Sequence, residues 1–422
     1  MKQLRIAIVT PSFPPKSGGI ATSHFNLFHL LKRRFHVHAF AYNDADSTPL
    51  TDVTRRKTPA WMAVAAPWLL RQYLRRYDSG SSFPNCSRIA AFAWGARRLR
   101  GPLKQFQPDL ILMPDNNVPA YFMKKPPHAK LIWYCHNNYR RFRGNPLLPD
   151  HPPIDLDVAS SMERKALRKA DMVVSPSHYM IDEFRKCFGN PDIPTQVIPN
   201  FMTEDAFTGI EPSLLRPSMA LRESCPIVCI PSAGTHPKGK RYVFEIVRRL
   251  HDTMDGQIGF FLSGLIPGDL QFELDSLGSD LKLHAPGHLA WRENVSRLQT
   301  CNLMVSPTLV ENFSNALLEA QWLGIPVVTF DTGGNRELVC DGRTGTIVDY
   351  IDIEALVRRA TELLCDAEML ARYGAAAARR ARKEFSAETI LRQYETYFQE
   401  LTEACPRSAQ PEPQPHQLKA SN

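Results

Sequence analysis

The sequence of 422 residues predicts an α/β protein in which two parallel-sheet domains face each other across a cleft. Short apolar runs alternate with helix-length segments, and this alternation occurs in two series separated by a Pro-rich stretch. The length suits two domains better than one. With 43% hydrophobic and 22% charged residues, the chain has enough apolar side chains for two cores. A disordered or collagen-like chain is excluded by the same composition.

The first series begins near the amino terminus. An apolar run at 4–9 predicts a buried strand, a loop rich in Pro and Gly follows, and periodic apolar residues at 20–31 predict a helix. The series is predicted to form one domain at residues 1–200. Its further predicted strands, in chain order, are 36–42, 109–113, 130–135 and 171–174.

The second series starts after a segment at 201–222 that is rich in Pro and polar residues, which we interpret as the interdomain linker. The second domain is predicted at 223–385, followed by a C-terminal helix at 386–405 that can pack back on the first domain. The Pro-rich tail at 406–422 is predicted to be disordered. The strands of this series are predicted at PIVCIP, IGFFLS, LKLHA, NLMVSP and IPVVTF.

Charge and cysteine content limit the class of protein. Residues 1–205 contain 29 basic and 16 acidic side chains, a net +13, whereas 206–422 contain 22 and 27, a net −5. The first half is therefore expected to meet an anionic partner. The nine cysteines include no CxxC pair, so neither a disulfide nor a zinc site is expected. Without an 18-residue apolar run or a signal-peptide pattern, the protein is expected in the cytoplasm, soluble or peripheral at the inner face of the membrane.

Ligands of open parallel sheets bind at the carboxyl ends of the strands, where loops and helix amino termini meet. In the first candidate loop, Gly18 and Gly19 precede a helix and let the backbone approach a ligand; a simple turn is the alternative. The second loop, SAGTHPKGKR, approaches the P-loop pattern, but Arg241 stands where a hydroxyl residue would hold magnesium. Its basic residues Lys238, Lys240 and Arg241 at a helix amino terminus predict a diphosphate site instead, with a solvated basic turn as the alternative.

The third candidate loop follows the strand NLMVS and carries Glu311, with Glu319 eight residues further on, in a helix predicted at 316–323. Glu319 lies in the apolar stretch ALLEAQWLG, where an acid is costly unless it is paired or accepts hydrogen bonds. We interpret it as a receptor for ligand hydroxyls; an exposed helix face is the alternative. The DxD pair Asp155 and Asp157 precedes a helical segment, where both acids serve as well for capping, and no metal site is expected.

The segment from Glu311 to Glu319 resembles the E(x7)E motif of retaining glycosyltransferases of family 4, which have the two-domain GT-B fold. The resemblance covers nearly all of residues 1–400. It implies two Rossmann-like domains and transfer of a hexose-type sugar from a nucleotide-sugar donor to a hydroxyl acceptor, with retention and with no metal or other cofactor. A sugar or lipid-linked acceptor, such as a polysaccharide or lipopolysaccharide precursor, is expected on the first domain. Other segments in the order of the family are PPKSGGI, ERKALRKADMVVSPS, VIPN, the KG of PKGK, GIPVV, DTGGNREL and DGRTG.

The resemblance also implies roles for single residues. Glu319 is expected to bind the ribose hydroxyls, Glu311 the sugar and phosphate end, and Lys238 the charge of the diphosphate. His136, after the strand LIWYC, matches the family histidine near the transferred sugar, although taken alone it fits a packed or capping histidine. The residues expected in catalysis are His136, Lys238 and Glu311; those expected to bind the donor are Gly18, Gly19, Lys238, Lys240, Arg241, Phe313, Ser314, Asn315 and Glu319.

Two positions depart from the pattern of the family. Ala233 stands where an arginine is usual, so Lys240 or Arg241 is expected to substitute for it. The usual EGFG reads ENFS, which replaces two glycines by Asn312 and Ser314 and bears on which hexose fits.

Residues 55–77 place Trp61, Trp68 and an apolar run between basic clusters. This pattern suits an anionic membrane surface, while packing of a loop and helix into the domain is the alternative. No nucleic-acid partner is expected, because no DNA- or RNA-binding motif accompanies the charge. Two other classes stay open: a nucleotide-sugar epimerase of the same architecture and a non-catalytic membrane-associated scaffold.

Overall fold

The computed structural model describes residues 3–13, 19–44, 50–78, 82–143 and 152–403. Within these residues the chain forms two parallel sheets, one of seven and one of six strands, each flanked by helices. The predicted α/β architecture with two parallel-sheet units is therefore confirmed. The disordered tail predicted from the sequence lies outside the described residues.

The first sheet has the strand order β3-β2-β1-β4-β5-β6-β7, with every pair parallel. Its strands are β1 Arg5–Thr10, β2 His36–Ala41, β3 Val53–Arg55, β4 Leu110–Pro114, β5 Lys130–Tyr134, β6 Met172–Ser175 and β7 Thr195–Val197. The helices of this half are α1 Gly19–Leu31, α2 Ala60–Leu74, α3 Pro84–Arg98, α4 Arg100–Phe106, α5 Pro119–Phe122, α6 Pro153–Leu167 and α7 His178–Phe188.

The second sheet has the order β10-β9-β8-β11-β12-β13, again parallel. Its strands are β8 Ile227–Ile230, β9 Gly259–Leu262, β10 Lys282–His284, β11 Leu303–Ser306, β12 Val327–Phe330 and β13 Gly345–Val348. The helices that precede, flank and follow it are α8 Glu204–Phe207, α9 Leu215–Ser218, α10 Lys240–Thr253, α11 Gly268–Asp275, α12 Trp291–Leu298, α13 Asn315–Trp322, α14 Asn335–Leu338, α15 Ile353–Cys365, α16 Ala367–Glu384 and α17 Ala387–Glu403.

Strand β1 shows why the strands of these sheets are apolar along their whole length. Ala7 and Val9 belong to a core on one face of the first sheet, whereas Ile6 and Ile8 belong to a core on the other face. Successive side chains of a strand point to opposite faces, so a strand covered by helices on both sides buries every residue. The loops that follow the carboxyl ends of the strands are where a parallel sheet of this kind builds a ligand site.

Helix α17 crosses back to the first half of the molecule. Ile390 and Tyr394 lie in the same core as Ile6 and Ile8, and the hydroxyls of Tyr134 and Tyr394 are 2.8 Å apart. This helix and α1 cover the same face of the first sheet. The two halves are thus joined by the chain twice, once near residue 200 and once between α16 and α17.

No helix of the described chain combines the length and the apolar character that a bilayer crossing requires.

The expectation that Asp155 and Asp157 precede a helix is wrong. Both lie inside α6, and the buried carboxylate of Asp155 binds another helix: it accepts hydrogen bonds from the backbone N–H groups of Asn85 (2.9 Å) and Cys86 (2.8 Å). Phe83, which precedes α3, supplies no side-chain cap. Asp155 therefore satisfies the first turn of α3 from a distant part of the chain.

Replacing Asp155 by alanine is expected to lower the free energy of unfolding by about 2–3 kcal/mol, because buried amides of α3 lose their acceptor. Urea denaturation followed by circular dichroism measures the change. Asp157→Ala is the matched control: its exposed ion pair with Arg143 (3.1 Å) contributes roughly 0–1 kcal/mol. Equal losses in the two variants would contradict the assignment of Asp155 as a cap.

Candidate active site

The loop after β8 packs closely against the loop after β11. Gly239 has a φ of +84°, and a Cβ placed there would lie 2.0 Å from the carbonyl oxygen of Pro307, so only glycine fits. This close approach brings Lys238 to Glu311, and the ammonium Nζ lies 2.5 Å from the carboxylate Oε2. Two residues predicted from separate motifs therefore meet as a partly buried ion pair.

The loop that carries Glu311 is fixed on its other side by the loop after β12. The second carboxylate oxygen of Glu311 accepts a hydrogen bond from the backbone N–H of Asn312 (3.0 Å). A Cβ at Gly333 would lie 2.2 Å from the carbonyl oxygen of Glu311, so the two loops are in backbone contact. Glu311 thus lies in a rigid loop at the carboxyl edge of the second sheet.

The amino terminus of α13 follows the loop that carries Glu311. Ser314 caps it, with its hydroxyl accepting from the backbone N–H of Leu317 (3.4 Å). Phe313 is buried against Phe385, with ring centroids 5.6 Å apart. The apolar anchor and the cap together hold the first turn of α13, whose N–H groups favour an anion.

Glu319 lies on α13 and is held by Trp291, the first residue of α12. The indole Nε1–H donates to carboxylate Oε1 at 2.9 Å, and burial raises the pKa of Glu319 to about 7. Trp291 is itself packed edge-to-face against Phe207, at a centroid distance of 5.2 Å. Glu319 is therefore a fixed acid rather than a residue on a solvated helix face.

The raised pKa of Glu319 predicts pH-dependent binding of the nucleotide sugar that the family resemblance implies. If this carboxylate accepts the ribose hydroxyls, its ionised form is the stronger acceptor, so binding favours loss of the proton. Donor affinity is expected to rise as the pH increases through about 7 and to level off above 8. Titration calorimetry between pH 5.5 and 8.5 measures this change, in buffers matched for ionic strength. The dependence should be absent in Glu319→Gln, and its persistence there would assign it to another group.

His136 begins the loop after β5, and Asp115 anchors this loop. One oxygen of the buried Asp115 carboxylate accepts from three consecutive backbone N–H groups: those of His136 (2.9 Å), Asn137 (2.7 Å) and Asn138 (3.1 Å). Burial raises the pKa of Asp115 to about 6 even though these bonds favour its charged form. The carboxylate shapes a tight turn at the edge of the first sheet.

The imidazole of His136 stacks on Tyr134, with ring centroids 4.6 Å apart, and lies 5.9 Å from the ring of His24. Burial lowers the pKa of His136 to about 4, so the ring is neutral at pH 7. Its Nε2 atom is buried and has no hydrogen-bond partner in the described part of the chain. A neutral ring with a free nitrogen can bind a sugar hydroxyl, but it does not supply a positive charge.

The remaining predicted donor-binding residues are not brought into contact with Lys238, Glu311 or His136 by any contact of the described chain. Gly18 is outside the described residues, and Gly19 is the first residue of α1. Lys240 pairs with Asp269, and the guanidinium of Arg241 lies over its neighbour Tyr242 at 5.3 Å.

Asn315 is the first residue of α13 and contacts the first half of the protein. Its Oδ1 atom accepts from Nδ2 of Asn200 at 2.9 Å.

Sequence reasoning missed Asp115, Trp291 and the contacts of Asn312. Asp115 follows the strand β4 at its carboxyl end, the position at which ligand-binding or supporting residues occur, and this signal could have identified it. Nothing in the sequence marks Trp291 as the partner of Glu319.

In the part of the chain that the structure describes, no cluster of three or more His, Cys, Asp or Glu side chains could hold a metal ion.

Two models of known protein families match this chain. Residues 17–205 match the family model "Glycosyltransferase Family 4", and residues 214–380 match "Glycosyl transferases group 1". The chain belongs to glycosyltransferase family 4. The resemblance inferred from the E(x7)E motif is confirmed.

Curated relatives of this family 4 glycosyltransferase are distant. N-acetyl-alpha-D-glucosaminyl L-malate synthase of Bacillus anthracis is 24% identical over 57% of this chain and 63% of its own length. GDP-mannose-dependent alpha-(1-6)-phosphatidylinositol monomannoside mannosyltransferase of Mycolicibacterium smegmatis is 28% identical over 52% of this chain and 60% of its own length. The matched region thus spans less than two thirds of either relative.

Solved structures show the fold of this family 4 glycosyltransferase. Sucrose-phosphate synthase from Thermosynechococcus elongatus superposes with a TM-score of 0.73 and 16% identity, covering 96% of this chain and all of that one. HepE of Anabaena, in complex with UDP-glucose, gives a TM-score of 0.64 and 17% identity, covering 94% of this chain and 99% of the other. The two facing α/β units are therefore the GT-B fold.

Proposed function

We propose that this glycosyltransferase moves a hexose-type sugar from a nucleotide-sugar donor to a hydroxyl acceptor, with retention and without a metal ion. The observation that carries the proposal is the ion pair between Lys238 and Glu311 at the carboxyl edge of the second sheet. Glu319 follows Glu311 in the chain, on helix α13. Opposite them, the first half presents His136. HepE, whose structure is similar, is known in complex with UDP-glucose, which supports a nucleotide-sugar donor.

Each of these side chains is proposed to bind a different part of the nucleotide sugar. Glu319 accepts hydrogen bonds from the ribose hydroxyls, and the first turn of α13 faces the diphosphate. Lys238 exchanges its ion pair with Glu311 for the diphosphate, which leaves Glu311 to bind the sugar hydroxyls. His136, neutral at pH 7, binds a hydroxyl of the transferred sugar through a free ring nitrogen.

The leaving group is a nucleoside diphosphate, so the transition state develops negative charge at the phosphate oxygen. Lys238 and the amino terminus of α13 stabilise that charge, and this role needs no metal ion. The acceptor hydroxyl attacks from the face that the diphosphate leaves and passes its proton to a phosphate oxygen. The new glycosidic bond keeps the anomeric configuration of the donor.

Slow hydrolysis of the donor tests this chemistry before the acceptor is known, because water then takes the place of the acceptor. Proton NMR of a protein sample with UDP-, GDP- and ADP-hexoses should show free sugar appearing first as the anomer present in the donor. First appearance of the opposite anomer would contradict retention. Conversion of the nucleotide sugar to its epimer, with no release of diphosphate, would instead establish an isomerase.

The acceptor is proposed to be a sugar or a lipid-linked sugar at an anionic membrane, because the outer face of α2 suits such a surface. The helix packs on the domain through Leu70 and Leu74, yet Trp61 is 69% exposed and Trp68 is 56% exposed. These rings and Val64 are spaced three and four residues apart, so they lie on one side of the helix. Packing of this helix on the domain, one of the two interpretations of the sequence, is therefore observed, while both tryptophans stay on its exposed side.

Charge on this surface matches anionic lipid. The exposed basic residues on or beside α2 are Lys57, Arg71, Arg75 and Arg76, and α2 itself contains no acidic residue. Aromatic rings at headgroup depth and adjacent cations together favour an anionic interface, at roughly 1 kcal/mol for each basic residue near it. We therefore propose that the protein binds the inner face of the membrane through the first half.

The double variant Trp61→Ala/Trp68→Ala is expected to bind phosphatidylglycerol vesicles at least about 10-fold more weakly than the wild type, because two rings no longer enter the interface. Sedimentation with vesicles of phosphatidylglycerol or of phosphatidylcholine measures the partition. Phe272→Ala is the matched control, because Phe272 is 78% exposed on α11 in the other half. Equal binding of the double variant and wild type would rule out this surface.

A further inference from the structure

The side chain of Asn312 crosses the cleft between the loop that carries Glu311 and the loop that begins at His136. Its Nδ2 donates to the backbone carbonyl oxygen of His136, and its Oδ1 accepts from the guanidinium of Arg141. Both partners belong to the first half, whereas Asn312 follows Glu311 in the second. Glycine, which the family pattern has at this position, has no side chain to make either contact.

We propose that Asn312 is a positioning residue that ties the loop carrying Glu311 to the loop carrying His136 and so sets their spacing for sugar transfer. The inference deepens the proposed function and rests on it. It assigns a positioning role to a side chain that the family pattern lacks, because the pattern has glycine at this position.

Both loops are rigid at the points where Asn312 joins them. On the first half, Asp115 holds the three backbone N–H groups of the turn that starts at His136. On the second half, the N–H of Gly334 donates to the carbonyl oxygen of Asn312 at 3.0 Å, and a Cβ on Gly334 would lie 2.2 Å from that oxygen. A tie between two rigid loops fixes distances, whereas a tie between flexible loops would not.

Other polar contacts that do not involve Asn312 also join the halves. The carboxylate of Glu337 accepts from the backbone N–H groups of His178 (2.8 Å) and Tyr179 (2.9 Å) at the start of α7. Asn200 and Asn315 form a third contact. Because these contacts persist without the Asn312 amide, its removal is expected to loosen the two loops without separating the halves.

The experiment compares Asn312→Ala with the wild type in two measurements. In the first, kcat for donor hydrolysis is expected to fall at least about 10-fold, while the Kd values for UDP, GDP and ADP, used as probes, stay within about 2-fold. In the second, made without any ligand, hydrogen–deuterium exchange is expected to become faster in the segments 136–142 and 310–315 and to stay unchanged elsewhere. Asn294→Ala removes the same amide from α12 and is the matched control.

Two further variants distinguish a positioning role from a merely structural one. Asn312→Asp keeps an acceptor for Arg141 but loses the donor to His136, so its kcat should lie between those of the wild type and Asn312→Ala. In a cycle with Arg141→Ala, the double variant should be no slower than the slower single variant, because both changes break the same tie.

The outcomes separate this inference from the proposed function. If the wild type turns over no donor, the proposed function fails, and deuterium exchange alone then decides whether the tie exists. An unchanged kcat in Asn312→Ala, or unchanged exchange in both loops, overturns the inference. Faster exchange throughout the protein, with weaker nucleotide binding, overturns it as well, since Asn312 would then support the fold as a whole.

Discussion

Replacing Glu319 by alanine is expected to weaken nucleotide-sugar binding about 100-fold. Two ribose hydroxyls lose their acceptor, and a hydrogen bond to a charged group contributes roughly 1.5–3 kcal/mol. Glu319→Gln keeps an acceptor oxygen and should lose less affinity, about 10-fold. Titration calorimetry at pH 8, where the Glu319 carboxyl with its pKa of about 7 is mostly ionised, measures both changes.

Stability provides the control for this experiment. Burial that raises the pKa of Glu319 to about 7 disfavours its charged form, so the ionised group costs folding free energy at pH 8. Glu319→Gln is therefore expected to be at least as stable as the wild type at that pH, and its weaker binding cannot be attributed to unfolding. The exposed residue Glu362, which pairs with Arg359 on α15, gives a matched variant, Glu362→Ala, with unchanged affinity. Equal donor affinities for Glu319→Ala and the wild type would exclude a role in ribose recognition.

Replacing Lys238 by alanine is expected to lower kcat by roughly 100- to 1000-fold, with a smaller effect on the Kd of the donor. The ammonium meets charge that grows as the diphosphate departs, so its contribution is greatest in the transition state. The change also leaves Glu311 without its ion-pair partner. Initial rates of diphosphate release at saturating donor measure the loss.

Lys240→Ala is the informative comparison, because this residue begins the helix directly after the turn that holds Lys238. Its ammonium is paired with Asp269, so the loss in kcat should be within about 10-fold. Lys238→Arg keeps the positive charge and should recover part of the rate. A Lys238→Ala enzyme as fast as Lys240→Ala would show that the leaving group is stabilised elsewhere.

The sequence predicted the sheets because their strands are buried on both faces and read as continuous apolar runs. Three strands escaped prediction. β3 and β7 are three-residue edge strands with polar residues, and β13 starts with a glycine and a threonine. Such short edges are held by pairing to a neighbour rather than by their own apolar pattern.

In the candidate site, too, some residues were predicted from the sequence and others were not. Glu311, Glu319 and Lys238 were predicted because charged residues stand out in apolar or glycine-rich surroundings at strand ends. The partners of these groups were not predicted, because they come from distant segments. Trp291 lies 28 residues from Glu319, and Asn312 lies 176 residues from the His136 carbonyl that it binds. Contacts of that kind depend on how two sheets are placed, which local patterns do not specify.

Direct titration of the wild-type protein with activated sugars addresses whether the cleft binds a nucleoside diphosphate sugar at all. With UDP-, GDP- and ADP-hexoses in a calorimeter, at least one donor is expected to bind with a Kd of roughly 1 μM to 1 mM, and saturating amounts should raise the thermal midpoint. A folded sample that shows neither heat of binding nor a shift in the midpoint with any of these donors would contradict the account.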